Sequence, residues 1–136
     1  MSNANITCEL QHMDLRVLDP NPIYVNQTFR LRFLFSDKYP IEPPEVTFMP
    51  LTTPPRPIPM HPHIYTNGII CLDLLGTQGW SPVQNVESVC LSLQSMLTGN
   101  SKAERPQGND EFVRRVGMAS RGKTKGMGFV YDDDTV

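Results

Sequence analysis

The chain lacks a strong charge of either sign, a long apolar run, and enough cysteines for a disulfide framework. Its formal net charge is -2 over 136 residues, so the molecule as a whole offers no basic field for a phosphate backbone. Arg114, Arg115, Arg121, Lys123 and Lys125 form a local cluster, but Asp132, Asp133 and Asp134 answer it soon after. A nucleic-acid partner is therefore not expected. No apolar stretch approaches the roughly 18 residues that a membrane span needs. The opening Met1-Ser2-Asn3-Ala4-Asn5 is too polar for a signal peptide, and no membrane partner is expected either. The three cysteines, Cys8, Cys71 and Cys90, form no paired framework. That favours a reducing compartment, cytoplasmic or nuclear, and free thiols.

What the chain has is proline. Thirteen are present, clustered between Pro40 and Pro62, which makes that region loop and turn rather than helix. Length and a hydrophobic content of 39% fit one soluble globular domain, with a core over residues 1–116 and an irregular tail over 117–136. Upstream, alternation dominates. Ile6, Cys8 and Leu10, then Met13, Leu15 and Val17, suggest one or two half-buried strands. Phe29, Leu31, Phe33 and Phe35 share one face of a clear strand over 27–35, with Arg30, Arg32 and Leu34 on the other, which predicts one covered face. Glu45 to Met49 gives a third. Pro50 to Pro59 holds five prolines and reads as an extended, polyproline-like surface excursion.

Downstream the period changes. Val86, Val89, Cys90, Leu93, Met96 and Leu97 predict an amphipathic helix over 86–98, capped by Asn85 and stopped by a left-handed Gly99. Cys90 falls within its apolar stripe and reads as packing. A short helix is predicted over 109–116, burying Phe112, Val113 and Val116. In the tail, Phe129, Val130 and Tyr131 are the residues that would dock. Strands followed by helices define an α+β fold.

Between the two regimes lies His61-Pro62-His63-Ile64-Tyr65-Thr66-Asn67-Gly68-Ile69-Ile70-Cys71-Leu72-Asp73. Read from its residues, Cys71 is either a nucleophile facing a shallow groove or a buried structural cysteine. His61, His63 and Cys71 could also converge on zinc, but their spacing matches no usual ligand pattern and a fourth ligand would have to come from Asp73 or Cys8. A cysteine protease would want a separate base and a deep cleft, which nothing here supports.

With these residues in view, the chain resembles the ubiquitin-conjugating enzymes. Tyr24 to Leu31 looks like the family's second strand and its approach, and Tyr39 to Phe48 is similar to its YPxxPPxVxF stretch. His61-Pro62-His63, eight residues ahead of Cys71, stands where the family has HPN. Ile70-Cys71-Leu72-Asp73 matches the active-site segment, and Trp80-Ser81-Pro82 the WSP turn. The resemblance covers about Ile6 to Val116. It implies an antiparallel meander sheet packed on a central helix, and acyl transfer without metal or cofactor. Cys71 would take ubiquitin as a thioester from an activating enzyme and pass it to an amine of a protein substrate. A RING-type or U-box-type ligase would bind at Ile41, Ser81, Pro82 and Val83. His61, Pro62, Asn67, Gly68 and Asp73 would shape the active-site loop.

Three departures qualify that implication. The family's asparagine, a brace for the loop and a candidate donor to the oxyanion, is His63 here; losing such a donor typically costs about 10²–10³ in rate unless His63 donates instead. The family's acid near the acceptor amine falls loosely at Glu104. The usual first helix is missing, which would expose apolar surface and favour a homodimer. It also keeps a second implication open, a non-catalytic binding or scaffold module on the same fold. The HPH tripeptide and the tail ending Tyr131-Asp132-Asp133-Asp134-Thr135 look like the W-type branch, which modifies N-terminal α-amino groups. At neutral pH the free-base fraction of an α-amine exceeds that of lysine by roughly 400-fold, so a site with weaker amine-activating groups loses less with that acceptor.

Overall fold

The run of alternating aromatic and aliphatic residues from Phe29 to Phe35 builds the centre of the fold. In the computed structural model, which describes residues 8–117, these side chains lie on one face of strand β2 (Thr28–Ser36) and all are buried. β2 pairs antiparallel with β1 (Cys8–Arg16) and with β3 (Glu45–Phe48), giving a three-stranded meander in chain order. The register along β1 is unbroken from Cys8 opposite Ser36 to Arg16 opposite Thr28, so the first segment is one strand. Its two alternating sets point to opposite faces. Leu15 is in the core, whereas Leu10, on the other face, is largely exposed.

Two expectations about the sheet region need correction. Arg32 does not lie open on the uncovered face of β2; it is buried, so that face is not open along its whole length. The proline-rich segment is not an extended excursion. Leu51 and Arg56 exchange reciprocal backbone hydrogen bonds of 3.0 Å and close a tight loop over the prolines between them. The two residues at the mouth of that loop are not prolines, and they supply the N–H donors that prolines lack.

Helix α1 (Val86–Thr98) covers the core face of the sheet with Val89, Leu93 and Leu97, all buried. Val86, Cys90 and Met96 pack beside them, and the Cys90 Sγ lies 3.3 Å from the Met13 Sδ. Asn85 caps the helix in a reciprocal box. Its side chain accepts from the Ser88 N–H at 2.9 Å, and the Ser88 hydroxyl accepts from the Asn85 N–H at 2.8 Å. The other end differs from expectation. Gly99 has φ -83 and is not left-handed. The Gly99 and Asn100 N–H groups take the Ser95 and Leu97 carbonyls at 3.0 and 3.1 Å, and the Asn21 Nδ2 adds contacts to Leu97, Thr98 and, just past the helix, Asn100 at 3.0–3.1 Å.

Helix α2 (Asn109–Val116) forms a smaller cluster with the central hairpin. Phe112 stacks on Tyr65 with ring centroids 3.9 Å apart, beside buried Ile69, and Val113 and Val116 pack against this group. The architecture is the expected α+β arrangement of an antiparallel meander on a central helix. The tail, with Phe129, Val130 and Tyr131, lies outside the described residues.

Candidate active site

Residues His63 to Cys71 form a hairpin whose pairing decides where each side chain points. Ile64 and Ile70 face each other across it, both fully buried. One step outward on each strand, the Cys71 N–H donates to the His63 carbonyl at 2.8 Å. Tyr65 and Ile69, the next residues toward the turn, are buried as well, against α2, so the pairing closes the middle of the hairpin on both sides and leaves its open end at His63 and Cys71. There Cys71 is partly exposed and His63 exposed. The thiol is not a core cysteine.

The hairpin is held from three directions. At its turn, Gly68 adopts φ +93 and its carbonyl accepts the Phe48 N–H of β3 at 2.8 Å. A Cβ there would sit 2.1 Å from the Phe48 carbonyl oxygen, so the approach admits only glycine. Asn67 is almost fully buried; its Oδ1 accepts the Ile69 N–H at 3.1 Å, and its Nδ2 donates to the Gly117 carbonyl at 2.7 Å. The Asn109 Oδ1 accepts the Thr66 N–H at 3.0 Å, so α2 clasps the turn from both its ends. Neither Asn109 nor Gly117 carries a sequence signal for this role.

His61 anchors the approach to the hairpin. Its ring is buried, Nδ1 accepts the His63 N–H at 2.9 Å, and Nε2 lies 3.3 Å from the Met96 carbonyl of α1. A carbonyl only accepts, so Nε2 carries the hydrogen and the ring is neutral. Burial lowers its pKa below the ordinary histidine value, the Met96 carbonyl opposes that shift, and His63 adds to it. With both nitrogens engaged, His61 has no lone pair for zinc. Among the described residues no three His, Cys, Asp or Glu side chains are grouped to hold a metal ion. Pro62 sits half-buried between the two histidines, whose rings meet edge-on at 5.5 Å. The bracing at position 63 is thus a matter of backbone, through its N–H to His61 and its carbonyl to Cys71.

Past the cysteine, Asp73 is exposed and opens a single 3₁₀ turn, Asp73–Leu75, with its carbonyl accepting the Gly76 N–H at 3.0 Å. Glu104 is exposed on the segment before α2. What ties that segment to the site is its neighbour. Arg105 donates from Nη1 to the carbonyls of Pro59 and Ile64, at 2.6 and 3.0 Å, and from Nη2 to Ile58 at 3.0 Å. The Tyr24 hydroxyl and the Asn100 Nδ2 both donate to the Met60 carbonyl, at 2.7 and 3.3 Å, and Asn100 also donates to Tyr24. Sequence reasoning missed all three. The available signal was the proline content: Pro57, Pro59 and Pro62 leave this stretch with more carbonyl acceptors than N–H donors.

A separate surface lies where two loops meet. The Trp80 Nε1 donates to the Pro40 carbonyl at 2.8 Å and ties the loop that leads into Ile41 to the one that continues as Ser81-Pro82-Val83. Ile41 is 73% exposed and Val83 83% exposed, with Pro82 exposed and Ser81 half-buried.

A family profile described as "Ubiquitin-conjugating enzyme" matches residues 1–117, a span that contains the meander, the hairpin and both helices. The chain belongs to the ubiquitin-conjugating enzyme family. A relative named "Probable ubiquitin-conjugating enzyme E2 16", from Arabidopsis thaliana, is 41% identical over 80% of this chain and 64% of its own length. The chain thus spans less than two-thirds of that relative. "Ubiquitin-conjugating enzyme E2 W" from Caenorhabditis elegans is 39% identical over 98% of this chain and 82% of that protein. The W designation recurs in relatives from Dictyostelium discoideum and Danio rerio. The crystal structure of ubiquitin-conjugating enzyme E2 UbcA1 from Agrocybe aegerita superposes with a TM-score of 0.67 at 38% identity, covering 84% of this chain and 77% of that one.

Proposed function

We propose that this chain carries ubiquitin as a thioester on Cys71 and passes it to an amine. The observation that carries the reading is a partly exposed Cys71, its N–H bonded to the carbonyl of exposed His63, at the open end of a hairpin held at Phe48, Asn109 and Gly117. In the first step the Cys71 thiolate attacks the carbonyl of ubiquitin held as a thioester on an activating enzyme, whose own thiolate leaves. In the second, an amine attacks the Cys71 thioester, the C–S bond breaks, Cys71 leaves as thiolate, and the new amide gives up a proton. The exposed Glu104 is the candidate to receive that proton. The outward His63 ring is the candidate donor to the tetrahedral oxyanion. Ile41, Ser81, Pro82 and Val83 are the proposed surface for a RING-type or U-box-type ligase; their joint exposure across the Trp80–Pro40 contact supports it.

The finer reading is a preference for N-terminal α-amino acceptors. It is supported by His63 in place of a bracing amide, by an acid with no described contact to the hairpin, and by relatives named as W-type enzymes. An amine already partly deprotonated needs less help from the site. Incubation with activating enzyme, ubiquitin and ATP is expected to give a reducible adduct that Cys71→Ala lacks. Absence of that adduct from the wild type would favour a binding module on the same fold. Discharge to a lysine-free peptide with an open N-terminus is then expected to exceed discharge to free lysine. Equal rates refute the preference, as does a His63→Asn variant in which lysine discharge does not rise.

A further inference from the structure

The segment from Ile58 to Ile64 approaches the cysteine strand with Pro59 and Pro62 in it, so it carries unmatched carbonyls. One guanidinium takes the carbonyls at both its ends, Ile58 and Ile64, with Pro59 between them. A planar fork with donors in fixed directions sets the distance between those ends in a way a flexible ammonium does not. The grip ends close to the reacting sulfur. Ile64 is the partner of Ile70, and the carbonyl of its neighbour His63 receives the Cys71 N–H. Chain connectivity also fixes Glu104 next to the same anchor. Arg105 Nε is buried with no hydrogen-bond partner among the described residues, so the side chain is held through its Nη groups alone.

We propose that Arg105 is a positioning residue for acyl transfer: it sets the Ile58–Ile64 segment and Glu104 in place relative to the Cys71 strand without touching substrate. The inference rests on Cys71 being the acyl carrier. Misplacement by about an ångström costs on the order of 100-fold in rate, so a lost grip reads out in the transfer step.

The test is Arg105→Lys, which keeps the charge and the stem but not the fork. With excess activating enzyme it is expected to charge to the wild-type level. Discharge at saturating amine is expected to fall by about 10- to 100-fold, with the half-saturating amine concentration unchanged. Amide hydrogen exchange at Cys71 is expected to quicken while that at Leu93 in α1 does not. Arg105→Ala is expected to regain part of its discharge rate when guanidinium ion is added at millimolar concentration, which a general loss of stability would not allow. Arg105→Gln carries the same measurements if Arg105→Lys fails to fold. Wild-type discharge and Cys71 exchange in the variant overturn the inference, and so does equal quickening at Cys71 and Leu93. Failure of the thioester reading is distinct: it shows as no adduct on the wild-type chain.

Discussion

Replacing Gly68 by alanine should damage this protein far more than the same change at Gly108, although both glycines have positive φ. Gly68 has φ +93 and Gly108 φ +77, so both variants incur backbone strain of about 1–2 kcal/mol. Only at Gly68 does the new methyl meet anything. Its Cβ would lie 2.1 Å from the Phe48 carbonyl oxygen, whereas at Gly108 nothing lies within 4 Å. The turn must back away from β3, which breaks the Phe48 N–H to Gly68 carbonyl bond at a net cost of about 1 kcal/mol. Loosened packing of buried Ile69 adds about another 1–2 kcal/mol. The total for Gly68→Ala is about 3–5 kcal/mol, against about 1–2 for Gly108→Ala, in a domain whose whole stability is of order 5–15 kcal/mol. Urea unfolding of the two variants and the wild type by circular dichroism measures the difference. Equal losses at the two positions would refute the argument that contact with β3, rather than backbone conformation, demands glycine at the turn.

Three further outcomes follow from particular contacts. Burial lowers the pKa of His61 below the ordinary value of 6.5, so the unfolded chain binds the proton first as pH falls. Its stabilising contribution is whole above pH 6.5 and is lost as pH drops toward the depressed value; unfolding free energy compared at pH 7.5 and 5.5 should fall less in His61→Gln than in the wild type. Asn85→Ala removes the acceptor for the Ser88 N–H and should cost about 1 kcal/mol in urea unfolding, while no loss would mean that the reciprocal box is not made in solution. Leu18 and Leu91, 81% and 59% exposed, line one groove, and a homodimer through this face is expected in sedimentation velocity at rising concentration. Leu91→Asp should abolish it, and a wild type that stays monomeric at millimolar concentration refutes it.

Elements with a strong local period are legible in the amino-acid sequence. The four-residue alternation from Phe29 to Phe35, the apolar stripe from Val86 to Leu97 and the short helix over 109–116 emerge where the spacing predicts them. The Asn85 cap is equally plain, because an N-cap is satisfied by a residue three positions away. Less local features go astray. Gly99 does end the helix, but at φ -83 rather than left-handed, and the Leu97 and Thr98 carbonyls also draw on Asn21, more than seventy residues upstream. The proline stretch reads as extended because prolines cannot donate; Leu51 and Arg56 at its mouth donate instead.

The candidate site divides along the same line. Sequence alone determined which residues are present and their order: a cysteine eight positions past a His-Pro-His tripeptide, a glycine turn between them, and a WSP turn beyond. It left open whether Cys71 faced the core or solvent, because an apolar run flanks it and periodicity there is too short to choose. Tertiary structure decided that: the Ile64–Ile70 pairing and the packing of Tyr65 and Ile69 on α2 bury the middle of the hairpin, and its open end leaves Cys71 partly exposed and His63 exposed. It also supplied the groups that hold the hairpin, Arg105, Asn109 and Gly117, and those that hold its approach at Met60, Tyr24 and Asn100, each far away along the chain. A hydrogen bond across such a distance leaves no period and no motif in the sequence. Its geometry exists only once the chain has closed.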